Sequence, residues 1–349
     1  MKNTRKIRVL VVDDSLLFRE LVSRGLTSDP LIEVVAKAGN PFEARDELIR
    51  VRPDVMICDV QMPRMNGIEF IRRLLPQYPL PVIVVSGVSE AVFDALSAGA
   101  VDFEAKPDVN SPGSVQRFLE QLIGKVKSAA QAKIIAPAAS SASSPTTGNQ
   151  GRMENANKSH GMDRVILIGA STGGTEAIAS LLNQLPPDMP GIVIVQHIPP
   201  VFSRMFSERL NVSCKLSVKE AEDGDFIAPG KVLVAPGDKH ISLRRLGSQF
   251  RLECKAGEKV NGHCPSVDVL FHSAAKEVGA KAIGILLTGM GYDGAKGLLD
   301  LRRKGAYTIG QDESSSVVYG MPKAAFELGA VEKQMSLQAM PRFLLTLLQ

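Results

Sequence analysis

The chain has 349 residues, long for one hydrophobic core, so two domains are expected. With 44% hydrophobic and 22% charged residues it is composed like a soluble globular protein, and no apolar run approaches the ~20 residues of a membrane span. The net charge of +4 is not gathered in a stripe, aromatics are 5% and tryptophan is absent, so no nucleic-acid partner and no direct membrane insertion is expected.

Basic residues precede the first apolar patch, as in a signal peptide, but the patch is short and two aspartates end it, as in a buried strand. That strand, "IRVLVV" (7–12), is followed by "IEVVAKA" (32–38), "VMICDV" (55–60), "PVIVVSG" (81–87) and "AVDFEAK" (100–106). Helical patterns such as "LLFRELVSRGL" and "GIEFIRRLLP" lie between them, which implies βαβ units and a parallel sheet. In such sheets the chemistry gathers at the carboxyl ends of the strands. Asp13 and Asp14 end the first strand, Asp59 the third and Ser86 the fourth, and Lys106 follows the fifth. Paired carboxylates suit Mg²⁺, and a metal-bound Asp59 flanked by Lys106 is suited to attack a phosphoryl group, with Ser86 bonding the transferred group. The competing reading is carboxylates that merely solvate a sheet edge.

The segments "VVDDS", "DVQMPRMNG", "VSG" and "KP" resemble the receiver domain of two-component response regulators, over about residues 7–125. The resemblance implies a five-stranded parallel, flavodoxin-like fold. It implies that Asp59 takes phosphate from a CheA-type histidine kinase while Asp13, Asp14 and Asp59 hold Mg²⁺. Phe103 stands where receivers carry an aromatic that changes rotamer on activation, and plain core packing explains it as well. Asn66 departs from the commoner "MDG" and should not touch the chemistry.

Residues 129–161 are rich in Ala, Ser, Pro, Gly and Asn and cannot bury enough to offset their ordering entropy. The expected division is an N-terminal domain at 1–125, a flexible linker at 126–161 and a C-terminal domain at 162–349.

Beyond the linker, "RVILIG" (164–169), "GIVIVQH" (191–197), "KVLVAPG" (231–237) and "AIGILLTG" (282–289) read as strands, with helical runs after several of them. This is a second, mainly parallel α/β sheet, with an antiparallel hairpin across 238–255 around a Gly-Ser. The turn "GASTGG" after the first of these strands is neither G-x-G-x-x-G nor a Walker loop, so nucleotide binding is disfavoured. It does satisfy G-x-S-x-G, with Ser171 on a sharp strand-to-helix turn. A serine needs a base and an orienting group. Among the histidines, His160 falls in the linker and His272 in a helical run, while His240 and His263 remain open. His197 ends a strand, as Ser171 does. Asp293, among four glycines after the strand 282–288, is suited to orient His197 and also to cap the next helix. The order Ser…His…Asp is not that of the α/β-hydrolases.

"GASTGG", "QHIPP", "LTGMGYDGAKG" and "GMPKAA" together resemble the catalytic domain of the CheB-type chemotaxis methylesterases, and "PSVDVLF" looks like the same family. With the receiver in front, everything but the linker is covered. The resemblance implies glutamyl methyl ester hydrolysis and glutamine deamidation on methyl-accepting chemoreceptors, by a monomer, and four cysteines without a C-x-x-C pair suit a reducing, cytoplasmic setting. Ser171 is then the nucleophile, His197 the base and Asp293 its orienter, with the N–H groups of Thr172 and Met290 as the oxyanion donors. The esterase needs no cofactor. Cys264 stands where arginine is commoner. The tether further suggests that an unphosphorylated receiver docks over the cleft and is released by phosphorylation of Asp59. A transcriptional regulator would instead need a helix-turn-helix output and a basic face, and a non-catalytic scaffold would have no use for the site residues.

Overall fold

The computed structural model describes residues 5–87, 90–108, 110–132 and 163–349. The chain divides into two units, Met1–Pro137 and Ala138–Gln349. In the first, strands alternate with helices: β1 (Ile7–Val12), α1 (Leu16–Thr27), β2 (Ile32–Ala38), α2 (Pro41–Val51), β3 (Val55–Asp59), α3 (Gly67–Leu74), β4 (Val82–Ser86), α4 (Glu90–Ser97), β5 (Asp102–Ala105) and α5 (Ser114–Ala129). The sheet is parallel throughout, in the order β2-β1-β3-β4-β5. Every residue of β3 and β4 is buried, because helices cover both faces of a parallel sheet. Asn66 has a structural role of its own: its side chain caps α3 by accepting from the Glu69 N–H at 2.8 Å.

Helix α5 runs to Ala129, with Val126 and Ala129 buried, so 126–129 continue the helix where a linker was expected. The rest of the expected linker, apart from 130–132, lies outside the described residues, and His160 with it.

The second unit is built on a seven-stranded sheet with the order β14-β13-β12-β6-β7-β9-β8, parallel at every pairing. Its central strand, β6 (Val165–Ala170), lies between β7 (Gly191–Gln196) and β12 (Ala282–Leu286), and β9 (Lys231–Val234) follows β7. Three strands escape the sequence patterns. β8 (Ser217–Glu220) has a polar face, β13 (Tyr307–Gln311) is interrupted by Gly310, and β14 (Lys333–Met335) has three residues. Strands β10 (His240–Leu246) and β11 (Gln249–Lys255) form the expected antiparallel hairpin as a separate two-stranded sheet. Its inner residues Ile241, Leu243 and Leu252 join Leu270 and Phe271 of α8 (Val267–Glu277) in one buried cluster, which holds α8 against the sheet. The remaining helices are α6 (Gly174–Leu182), α7 (Phe202–Ser213), α9 (Ala295–Arg303), α10 (Met321–Glu327) and α11 (Met340–Leu347).

Candidate active site

In the first unit the strand ends converge as expected. Asp13 and Asp59 are buried, Asp14 is exposed, and one carboxylate oxygen from each lies within 4.8 Å of the others. Lys106 Nζ donates to Asp13 Oδ2 at 2.7 Å and to Asp59 Oδ2 at 2.8 Å. Burial pushes the Asp59 carboxyl up, Lys106 pulls it down and Asp13 adds to the rise, and burial prevails. Burial works to lower Lys106, but its two carboxylates outweigh it and the ammonium is held more firmly than usual. Three close carboxylates are a hard-oxygen donor set that fits Mg²⁺. Ser86 is buried at the end of β4, and its carbonyl accepts from the Lys106 N–H at 3.0 Å. Phe103 is buried, tilted against Phe93 with centroids 6.4 Å apart and under Lys125 Nζ at 5.0 Å.

In the second unit β6 and β7 pair in register, with Ala170 opposite Gln196. The next residue on each strand is Ser171 and His197, so the two are neighbours at one sheet edge. The His197 N–H donates to the Ala170 carbonyl at 3.1 Å. The turn differs from a strained nucleophile elbow. Ser171 has no positive φ, and the left-handed residue is Gly173 at φ 76°, which opens α6 without a Cβ penalty.

Asp293 does not cap α9, whose N-cap is Gly294. Its buried carboxylate accepts five hydrogen bonds instead. His197 Nε2 reaches Oδ2 at 2.9 Å and the Val267 N–H reaches it at 2.7 Å. Asn261 Nδ2 at 2.8 Å, Ser266 Oγ at 2.7 Å and the Asp268 N–H at 3.3 Å reach Oδ1. Two of these donors are the first N–H groups of α8, where the helix dipole favours an anion. Burial alone would raise the Asp293 pKa, but its bond to His197, the His197 charge, Asn261 and Ser266 hold it well below the usual carboxylate range. An ionised carboxylate can only accept, so Nε2 of His197 donates to it. Nδ1 is buried and has no hydrogen-bond partner among the described residues.

Thr172 and Met290 are each next in sequence to a residue of the turn contact, Ser171 and Gly289. The Thr172 carbonyl accepts from Thr288 Oγ1 at 3.0 Å. Met290 follows Gly289, where an added Cβ would stand 2.7 Å from Ser171 Cβ and 2.5 Å from Met321 Sδ. Only glycine permits that approach, which brings the Met290 backbone up to the turn. Gly320 packs on the Gly289 carbonyl in turn, which places the "GMPKAA" segment under the site.

Several residues here have no signature in sequence. Gln196, 3% exposed, donates through Nε2 to the Ser171 carbonyl at 2.9 Å and to the His197 carbonyl at 3.3 Å. Asn261 bridges Asp293 to the buried Asp268 Oδ2 at 2.7 Å. Asn261 holds a positive φ of 54° in the loop before α8, and Ser266 is the N-cap residue of that helix. The open histidines also resolve. His272 pairs with Asp300 on the surface. His240 bonds the Glu258 carbonyl and the Ser266 N–H. His263 stacks on His197, with centroids 3.6 Å apart and planes 9° from parallel. Cys264 and the other three cysteines are free thiols, and burial raises Cys264.

Burial, then the neighbouring His197 charge, push His263 from 6.5 down to about 3, with Lys259 adding and Asp293 opposing. The unfolded chain takes up this proton near pH 6.5 and the folded chain near pH 3. The stability is therefore intact above pH 6.5 and drains away as pH falls through that interval. Relative to His263→Phe, the native chain should lose about 2 kcal/mol between about pH 6 and about pH 4 in denaturant titrations of the unit that holds it. A constant difference over that range would refute the assignment.

Residues 166–344 match the family model described as CheB methylesterase, and residues 9–111 that of the response regulator receiver domain. A protein-glutamate methylesterase/protein-glutamine glutaminase of Syntrophomonas wolfei is 55% identical over 330 residues, spanning 95% of this chain and 94% of that one. A protein of the same description from Salmonella typhi is 46% identical over 336 residues, spanning 95% and 94%. The crystal structure of the Thermotoga maritima CheB methylesterase catalytic domain is 36% identical, covering 53% of this chain and 98% of its own, with a TM-score of 0.52. By sequence along nearly its whole length, and by fold in its second unit, the chain belongs to the CheB methylesterase family.

Proposed function

We propose that the chain is a phosphorylation-activated protein-glutamate methylesterase that also deamidates protein glutamine, acting on chemoreceptors in chemotactic adaptation. The observation that carries this reading is the His197–Asp293 pair beside Ser171: a five-bonded carboxylate holds Nε2, and the buried Nδ1 has no hydrogen-bond partner among the described residues.

Ser171 Oγ attacks the γ-carbonyl carbon of a glutamyl methyl ester and its proton passes to His197 Nδ1. The N–H groups of Thr172 and Met290 stabilise the oxyanion, one such donor being worth about 3 kcal/mol. The tetrahedral intermediate collapses, the C–O bond to methoxide breaks and His197 returns the proton, so methanol leaves. Water then gives a proton to His197 and its oxygen attacks the acyl carbon; collapse breaks the bond to Ser171 Oγ, His197 returns the proton to that oxygen, and glutamate leaves. With a glutamine substrate the first leaving group is ammonia.

In the receiver, Asp13, Asp14 and Asp59 would hold Mg²⁺, which when bound neutralises an incoming phosphoryl group. Asp59 accepts that group from a histidine kinase of the CheA type, Lys106 and Ser86 hold it, and Phe103 responds. The test is methanol release from a methylated receptor fragment by the full chain with Mg²⁺. A small phosphodonor should raise the rate of the native chain about tenfold and leave Asp59→Asn unchanged, a shift in the active population of about 1.4 kcal/mol. An equal rise in Asp59→Asn would overturn the assignment of Asp59, and no release under either condition would overturn the esterase.

A further inference from the structure

Gln196 is the last residue of β7, and the two ends of its buried amide are used unequally. The nitrogen donates twice, to the Ser171 carbonyl at 2.9 Å and to the His197 carbonyl at 3.3 Å. Oε1 is buried with no hydrogen-bond partner among the described residues, and it lies against Gly174, where an added Cβ would collide with it. A buried polar atom left alone costs stability, so an apolar side chain would serve packing better. What the residue secures is at the nitrogen. An NH₂ is a neutral group that offers two donors from one atom, and here it ties the turn of Ser171 to the strand that ends at His197.

The bond to Ser171 has a consequence one peptide group further on. The Ser171–Thr172 peptide is trans, so the Thr172 N–H points to the side opposite the Ser171 carbonyl. The Gly174 N–H also donates to that carbonyl, at 2.7 Å, but Gly174 belongs to the same turn and moves with it. Gln196 belongs to the neighbouring strand, so its bond fixes the peptide relative to His197. We propose that Gln196 is a positioning residue that aims the Thr172 N–H at the oxyanion and holds it in register with His197. The proposal rests on Ser171 being the nucleophile and Thr172 an oxyanion donor. An aimed donor matters most when the carbonyl oxygen carries its full charge, so Gln196 acts on kcat more than on KM.

The test compares Gln196→Met, Gln196→Glu and Ser171→Ala in the full chain, with Mg²⁺ and a small phosphodonor, by methanol release from a methylated receptor fragment between about pH 6 and about pH 9. Methionine keeps the bulk and donates nothing, so kcat should fall about tenfold to a hundredfold at every pH, with KM within about twofold. Glutamate keeps the shape and donates only while protonated. Burial and two facing carbonyls raise its pKa above the usual carboxylate range, into the interval of the assay. Its kcat should lie within about fivefold of native at the acid end and fall to the methionine level as pH rises, with circular dichroism unchanged. Dividing by the native rate at each pH removes the titration of the neighbouring His197. If Gln196→Met kept the native kcat, the amide would be idle and the proposal would fall with the esterase reading intact. If both variants lost rate equally with no new basic limb, or if that limb followed the loss of the folded dichroism, Gln196 would be packing only and the proposal would fall. If Ser171→Ala kept its activity, the nucleophile assignment would fail and take the proposal with it.

Discussion

Ser171→Ala is expected to lower methanol release by about ten-thousandfold or more, with KM for the methylated fragment nearly unchanged. The substitution removes one oxygen from a turn whose backbone is anchored elsewhere. The Ser171 N–H donates to the Thr288 carbonyl at 3.0 Å, and its carbonyl accepts from Gln196 and from the Gly174 N–H at 2.7 Å. None of these bonds uses the hydroxyl, so the turn should keep its shape, and unfolding should occur at the native temperature within a few degrees. What disappears is the nucleophile, and with it the covalent intermediate. The remaining donors and His197 can only assist water, a far slower reaction. A variant within tenfold of the native rate would show that Ser171 is a turn residue, and that the chemistry lies elsewhere.

Asp293→Asn should cost about a thousandfold to ten-thousandfold in kcat, for a reason of proton placement. Five donors converge on this carboxylate. An amide can accept at one end only, so its NH₂ must face either His197 together with the Val267 N–H, or Asn261, Ser266 and the Asp268 N–H. Turned toward His197, it forces the ring to accept at Nε2 and moves the proton to Nδ1, the atom that must receive the proton of Ser171. In either orientation it sets donor against donor, at the Val267 N–H or at Asn261 and the Asp268 N–H, and the fold loses about 1–3 kcal/mol. Nitrogen chemical shifts of the His197 ring distinguish the two results, and kcat at saturating substrate measures the loss. A kcat within tenfold of native would show that Asp293 is no orienter.

Ser171, His197 and Asp293 were legible because each sits at a strand end with a local signature, a glycine turn or a break in an apolar run. The receiver carboxylates were legible for the same reason. The supports of Asp293 were not. Two of its donors are backbone N–H groups of Val267 and Asp268, which any sequence would supply. Gln196 in a strand and Asn261 in a turn become specific only when folding brings their amides to particular carbonyls and carboxylates. The stacking of His263 on His197 joins residues 66 positions apart, a contact that no local pattern encodes. Strands β8 and β14 escaped for a different reason: they are short edges of the sheet, where a single apolar neighbour suffices.

The place of β12 beside β6 sets a timetable for synthesis. Within the second unit, strands β6, β7, β8 and β9 are neighbours in the sheet and leave the ribosome before β12, carrying Ser171 and His197. Asp293 and the far half of the sheet arrive only when β12 seats itself on the exposed edge of β6, more than a hundred residues after that strand was made. Such a distant pairing forms late, since the loop must close before the contact rewards it. A chain that ends before β12 therefore lacks Asp293, the proposed partner of His197. On the proposed assignment, such a chain lacks the orienter of His197 and should not hydrolyse a methyl ester.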